Sequence, residues 1–252
     1  MLALLLSHDV KTVHSAAPRG TAFSTSVKTS YGFRLRPRSA TPHLAQQTDA
    51  DHDKRELEDR QKAVEVDALV FNRRVEFELE ANWKIVSENF LECYHCAVAH
   101  PAFSAMIDVS AESYGLDASE TFFTHRAPLK ENRRDAYDLG NGEIPQGQFH
   151  LIWPGVAINI MPGRPNISIG PIAPLSPSRT ARLLDYFFAS GEDEAWIADY
   201  LAFDDQVGAE DKALVESVQR GVSSGALDGG RLLVSSERLI ADFGRRVAAA
   251  IS

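Results

Sequence analysis

The sequence predicts an α+β fold in which a large antiparallel sheet packs against long helices. Segments rich in β-branched and aromatic residues follow one another through the middle of the chain, and Gly and Pro separate them. Long helical patterns flank these segments, without the strand–helix–strand alternation that parallel sheets require. At 252 residues, of which 44% are hydrophobic, the chain is large enough to bury one sizeable core.

The predicted strands are recognised by alternation or by β-branched and aromatic composition. In the segment Leu69–Glu80, the side chains of Val75, Phe77 and Leu79 fall on one face. The remaining predicted strands cover Thr121–Leu129, Gln148–Met161, Asn166–Ala173 and Thr180–Ala189. The turn dipeptide Pro154-Gly155 interrupts the second of these, which favours an antiparallel hairpin.

Three segments have the spacing of helices. In Trp83–Ala99, apolar residues recur at intervals of three and four. The segment Ser190–Asp193 offers a cap for a long helix that runs to about Val222, and a last amphipathic helix covers Ser235–Ile251.

The N-terminal region differs in composition from the rest of the chain. Residues 10–48 contain six Lys or Arg and no Asp or Glu, although the whole chain has a net charge of −9. This composition is typical of a disordered extension, of a start that is not the natural one, or of an organelle transit peptide. Residues 1–65 are therefore predicted to be a flexible or non-native tail and linker, and residues 66–252 a single folded domain.

Composition also excludes several classes of function. An acidic body argues against nucleic-acid binding, because phosphate contacts need clustered cations. No apolar run approaches the roughly 18 residues that span a bilayer, so no membrane partner is expected. The two cysteines, Cys93 and Cys96, are too few for a disulfide framework and indicate a reducing compartment. The predicted location is the cytoplasm, or an organelle if residues 1–48 are a transit peptide.

Two histidines in the segment Asn82–Pro101 are candidate metal ligands. On a regular helix, His95 and His100 would lie roughly 140° apart. Pro101 disfavours α geometry at His100, so that side chain can turn back toward His95. Neutral imidazole suits Zn, Cu, Fe and Ni, so the pair alone does not choose the metal.

A third ligand is expected from the long helix that ends near Val222. Its apolar seam runs through Phe203, Val207, Leu214 and Val218. Asp211 falls within that arc, Asp204 and Glu210 lie at its edges, and Asp205 lies outside it. Two histidines, one carboxylate and open positions are typical of non-haem Fe(II) oxygenases.

Two motifs resemble those of a known family. The residues Asn82-Trp83-Lys84, Glu88-Asn89, Glu92-Cys93-Tyr94-His95 and His100-Pro101 resemble the iron-binding motif of Rieske-type ring-hydroxylating oxygenase α subunits. The later segment Glu210–Gly221 resembles the segment that carries the family's carboxylate ligand. The resemblance implies a helix-grip catalytic domain that holds mononuclear Fe(II) with His95, His100 and Asp211.

The same resemblance suggests roles for two further residues. In the family, an acidic residue at the place of Glu92 passes electrons from the iron–sulfur cluster of a neighbouring subunit. The alternative interpretation is that Glu92 orients His95 through a hydrogen bond, and the two are compatible. Asn89 is a candidate catalytic-pocket residue, although a capping or core amide is an equal alternative.

The chain departs from the family pattern at its N-terminal side. A Rieske [2Fe–2S] cluster needs two Cys and two His. Residues 1–66 contain no Cys-x-His pair, so the cluster is expected from a missing domain or a partner chain. A reductase or ferredoxin is then the expected electron donor, and O₂ and a small molecule are the substrates. The family favours homotrimers, and the oligomeric state stays open.

A resemblance also indicates a substrate class, and two alternatives stay open. The segment Ile152–Gly163 resembles family members that oxidise choline, carnitine or glycine betaine. A quaternary ammonium group prefers aromatic faces, and the candidates are Phe149, Trp153, Tyr186 and Phe203. The alternatives are hydroxylation of an aromatic ring by the same site, and a non-catalytic structural zinc module built from Cys93, His95, Cys96 and His100.

Overall fold

A computed structural model describes residues 68–226, 229–233 and 235–252. Within these ranges the chain forms seven strands and five helices. The strands are β1 (Leu69–Leu79), β2 (Gly115–Ala118), β3 (Phe122–Pro128), β4 (Gln146–Ile152), β5 (Val156–Ile160), β6 (Asn166–Ser176) and β7 (Arg179–Ala189). The helices are α1 (Trp83–Phe90), α2 (Cys96–Ala99), α3 (Pro101–Met106), α4 (Glu194–Ser223) and α5 (Arg238–Ile251).

The seven strands form one antiparallel sheet in the order β1-β7-β6-β5-β4-β3-β2. Consecutive strands from β2 to β7 are neighbours, and only β1 pairs across a long stretch of sequence. The guanidinium of Arg74 on β1 lies 2.6 Å from the carboxylate of Asp185 on β7, which is 3% exposed and helps to fix that register. The predicted α+β class with an antiparallel sheet is confirmed.

Gly170 permits a close approach between β6 and β7. A Cβ atom at this position would lie 1.6 Å from the carbonyl oxygen of Leu183. The Cβ would be fixed to the backbone of residue 170, and the carbonyl oxygen is part of the backbone of Leu183. Rotation of a side chain therefore could not relieve the clash. The glycine therefore lets β7 place its inward-facing residues against β6.

Two buried clusters flank the centre of the domain. One lies around the start of α4, where Trp196 and Tyr200 pack against Phe188 of β7 and Tyr137. The other surrounds Phe243 of α5 and includes residues of β3, β6 and α1. Residues from both clusters line one cavity.

The long helix α4 begins and ends as the sequence predicts. The side chain of Asp193 accepts a hydrogen bond from the backbone N–H of Ala195, which caps the first turn. Among the described residues, no helix is long and apolar enough to cross a membrane.

The prediction of one continuous helix over Trp83–Ala99 is wrong. Helix α1 ends at Phe90, and α2 does not begin until Cys96. The carboxylate of Glu92 accepts hydrogen bonds from the backbone N–H groups of Tyr94 and His95, which gives this segment an alternative to helical hydrogen bonds. The sequence analysis also missed the short strand β2 and helix α3.

Residues 1–67 lie outside the described part of the chain. The predictions of a tail over residues 1–65 and of a transit peptide over residues 1–48 fall on this region. They stay predictions, as do the two alternative cellular locations.

Candidate metal centre

The break between α1 and α2 brings the two histidines together. His95 stands at the start of α2, and His100 separates α2 from α3 with φ −120° and ψ 74°. This non-helical conformation, expected for a residue before Pro101, turns the imidazole of His100 back. The Nε2 atoms of the two rings lie 3.1 Å apart.

Helix α4 supplies the carboxylate. The Oδ1 atom of Asp211 lies 3.0 Å from Nε2 of His100 and 3.5 Å from Nε2 of His95. Asn89 on α1 donates a hydrogen bond from Nδ2 to the same oxygen at 2.7 Å. The three residues that the sequence and the resemblance single out as ligands therefore have one donor atom each at a common point.

The spacing of these atoms fits a single metal ion. Donors bound to one ion at about 2.1 Å lie about 3.0 Å apart at right angles and about 3.4 Å apart in a tetrahedron. The three observed separations are 3.0, 3.1 and 3.5 Å. Two ring nitrogens and one carboxylate oxygen also match the donor set that non-haem Fe(II) prefers.

Each imidazole is also held through Nδ1, the ring nitrogen that faces away from the candidate metal position. The Nδ1 atom of His95 lies 2.5 Å from Oε1 of Glu92, and Nδ1 of His100 lies 2.8 Å from Oε2 of Glu210. These contacts assign the proton of each neutral ring to Nδ1 and leave Nε2 available for a metal. From the sequence, Glu210 was a ligand candidate at the edge of the apolar seam. Its place directly before Asp211 gave no signal of an orienting role.

The charges of the centre are strongly coupled. Burial lowers the pKa of His95, but contacts with Asp211 and Glu92 outweigh it and raise the pKa to about 9. Burial opposes a similar rise at His100, whose pKa is raised by Asp211 and Glu210. Burial alone would raise the pKa of Asp211, but both imidazoles hold it well below its usual value. Without a cation, protons lie between these atoms, and a metal held by His95, His100 and Asp211 would take their place.

The two cysteines are joined to each other. Cys93 and Cys96 form a disulfide across the turn that follows α1, which the sequence analysis did not predict. The Sγ atom of Cys96 lies 3.8 Å from Nε2 of His95, so His95, Cys96 and His100 also form a compact group. Zinc binds the thiolate form of cysteine, and the disulfide removes both thiolates. The bonded pair therefore argues against the structural zinc alternative.

A cavity of about 170 Å³ lies beside the three donor atoms. Its wall is mostly apolar, with aromatic side chains from sheet and helices, namely Phe77, Phe90, Phe103, Tyr114, Phe149 and Phe203. Of the four predicted aromatic residues, Phe149 and Phe203 belong to this wall. Trp153 packs instead against Phe243, and the hydroxyl of Tyr186 donates a hydrogen bond to Asp204.

The family model described as the catalytic domain of the ring-hydroxylating α subunit matches residues 66–252. The chain belongs to this family. The choline monooxygenase of Amaranthus tricolor, named as chloroplastic, is 30% identical over 180 residues, which cover 70% of this chain and 39% of that protein. The carnitine monooxygenase oxygenase subunit of Acinetobacter pittii is 30% identical over 165 residues, 64% of this chain and 43% of the relative.

A crystal structure in the family has the same fold. The quaternary ammonium Rieske monooxygenase CntA, in complex with L-carnitine, superposes with a TM-score of 0.63 at 27% sequence identity. The similarity covers 76% of this chain and 52% of that chain. This family member therefore spans about 40% of the length of the choline and carnitine monooxygenases that it matches.

Proposed function

We propose that His95, His100 and Asp211 hold one Fe(II), at which O₂ oxidises a small quaternary ammonium compound. The observation that carries this proposal is the convergence of three donor atoms within 3.5 Å of one another. They lie at the wall of a mostly apolar cavity. The bound iron would supply an open coordination position at which O₂ reacts.

The residues around the proposed metal site hold its ligands in position. Glu92 and Glu210 fix the two rings, and Asn89 holds the Asp211 oxygen that faces them. A centre fixed from three sides needs little reorganisation when substrate enters. The mostly apolar wall leaves few polar groups to compete with the substrate for the reacting atoms.

The substrate class is inferred from the relatives and from the cavity wall. The choline and carnitine monooxygenases act on compounds that carry a trimethylammonium group. Such a cation gains about 0.5–2 kcal/mol from each well-placed aromatic face. Phe103 and Phe149, whose ring centroids are 6.1 Å apart, supply two such faces in the cavity. We propose demethylation or hydroxylation of such a compound.

The electrons come from a [2Fe–2S] cluster that this sequence has no further cysteines to bind. We propose that the cluster belongs to another domain or chain, reduced in turn by a reductase or ferredoxin. Tyr94 and Val98, which are 64% and 87% exposed, surround the turn that holds Glu92 and His95. An electron donor that docks there would approach the iron through Glu92.

Nitric oxide, which binds Fe(II) where O₂ would, tests this proposal by electron paramagnetic resonance. The Fe(II)-loaded protein should give a high-spin iron–nitrosyl spectrum, and γ-butyrobetaine should change its shape. A change with toluene but not with γ-butyrobetaine would favour ring hydroxylation instead. The absence of any nitrosyl spectrum in iron-loaded protein would contradict an oxygenase.

A further inference from the structure

We propose that Arg182 binds a carboxylate of the substrate, so that this chain takes trimethylammonium acids in preference to trimethylammonium alcohols. This inference rests on the proposed function and narrows its substrate class. It assigns to the cavity a specificity residue that lies outside the metal centre and that the sequence analysis did not consider.

Arg182 lies on the inner face of the sheet. Its neighbours across the ladder are Phe77 on β1 and Ile172 on β6, and all three residues line the cavity. Only 9% of the residue is exposed. A long cationic side chain is thus placed in a wall whose surrounding residues are mainly hydrophobic.

Within the described residues, the guanidinium of Arg182 makes no ion pair. The Nη1 atom of Arg182 is buried and makes no hydrogen bond to any residue that the structure describes. Other arginines of the sheet region are paired: Arg74 with Asp185, Arg164 with Asp138 and Glu192, and Arg179 with Glu78. Because a buried unpaired charge is costly, an arginine left in this state indicates a ligand that completes it.

The nearest carboxylates are engaged elsewhere. Asp204 accepts a hydrogen bond from the hydroxyl of Tyr186 at 2.5 Å, and burial raises its pKa. Asp211 faces His95 and His100. These two acids contribute attraction at a distance, but among the described ion pairs neither is bonded to Arg182.

Arg182 remains a cation at neutral pH. Burial lowers its pKa to about 10, and the charges of Asp211 and Asp204 oppose that shift. The planar fork of a guanidinium binds a carboxylate through two parallel hydrogen bonds, which an alcohol cannot match. An acid held at this point would also fix which end of the substrate faces the metal ligands.

Isothermal titration calorimetry of the Fe(II)-loaded protein tests the inference with γ-butyrobetaine, its methyl ester and choline. We expect γ-butyrobetaine to bind about tenfold or more tightly than the other two compounds, since a charge-assisted pair is lost in both. Arg182→Met should bring the three affinities together. Arg179→Met, which removes an exposed arginine of the same strand, should leave the preference intact.

The melting temperature separates recognition from folding. Arg182→Met replaces an unpaired buried charge, so its melting temperature should not fall. Should that variant fail to fold, Arg182→Lys and the ester comparison on the wild type still decide the matter. Equal affinity of the wild type for the acid and its ester would overturn the inference.

Three further outcomes decide between the inference and the proposed function. Equal binding of choline and γ-butyrobetaine would overturn the role of Arg182 and leave a quaternary ammonium oxygenase. Binding of butyrate through Arg182, without binding of any trimethylammonium compound, would overturn that substrate class and support the carboxylate site. If neither butyrate nor γ-butyrobetaine binds, the role of Arg182 is wrong.

Discussion

At the scale of single residues, the proposed metal centre depends on side chains that touch the proposed ligands as much as on those ligands themselves. Glu92 and Glu210 contact the outer nitrogens of His95 and His100, and they decide which nitrogen faces the centre. Both carboxylates come from segments adjacent to a ligand in sequence. The centre is therefore assembled from two short stretches of chain.

Replacing Glu92 should weaken metal binding without removing it. We expect Glu92→Gln to lower the affinity for Fe(II) about 10- to 100-fold, because the amide loses the charge that polarises His95. Competition with a chelator of known affinity measures the change. Glu112→Gln, at an exposed position, is the matched control. An unchanged affinity in Glu92→Gln would contradict an orienting role.

Glu88 makes stability depend on pH. Burial raises its pKa from 4.5 to about 7, while Lys84 lowers it and Glu237 raises it. Because the folded-state pKa lies above the unfolded value, the stabilisation is complete below the unfolded pKa and is lost as pH rises through 7. Between pH 4 and 8, the wild type should lose about 3 kcal/mol of unfolding free energy relative to Glu88→Gln.

Urea unfolding of both proteins at several pH values measures this difference, with Glu112→Gln again as the exposed control. A constant difference between wild type and Glu88→Gln across that range would show that the pKa of Glu88 is the same in the folded and the unfolded protein.

At the residue scale, the sequence indicated which side chains of the long helix face inward. Periodicity placed Asp211 on the buried arc and Asp205 outside it, and the structure orients both accordingly. It did not separate a ligand candidate from an orienting carboxylate, because Glu210 and Asp211 are adjacent. Arg182 could not be identified as a binding residue from the sequence. Its guanidinium makes no ion pair among the described residues, and this depends on side chains from three strands and α4.

At the scale of elements, the break after α1 brings the imidazoles of His95 and His100 together, which a continuous helix would not do. His95 and His100 are five positions apart, and only a non-helical residue before Pro101 turns both rings to one side. The sequence analysis predicted that local effect at His100. It missed the earlier turn, because the apolar spacing of Trp83–Ala99 continues through it and the Glu92 cap is a competing polar interaction.

The disulfide in this turn should support stability rather than metal binding. We expect the double variant Cys93→Ser/Cys96→Ser to bind Fe(II) with unchanged stoichiometry, because neither sulfur is a ligand. The loss of so short a covalent loop should cost about 2 kcal/mol of unfolding free energy. Zinc bound by the wild type and lost from the double variant would instead support the structural zinc module.

The close contact between β6 and β7 predicts opposite effects of alanine substitution at two glycines. Gly170→Ala should lower the unfolding free energy by about 3 kcal/mol, since the new Cβ meets the Leu183 carbonyl. Gly208→Ala, inside α4 with nothing within 4 Å of its Cβ, should raise it by about 1 kcal/mol. Thermal or urea unfolding compares them, and equal effects would mean that the strands are not in close contact.

At the scale of the whole molecule, the fold class followed from the order of strands and helices, and the strand boundaries differ from the predicted ones by only a few residues. The sheet order was less accessible, because the pairing of β1 with β7 joins segments about 110 residues apart. The cavity is a consequence of that pairing. It lies between two buried clusters whose members come from nearly every element.

The centre of the account is one metal ion held from two helical regions that are distant in sequence. Iron analysis after anaerobic reconstitution tests it most directly, on the wild type, Asp211→Ala and Asp205→Ala. We expect one iron per chain in the wild type and in Asp205→Ala, whose side chain is exposed on the same helix, and none in Asp211→Ala. A full complement of iron in Asp211→Ala would contradict the account.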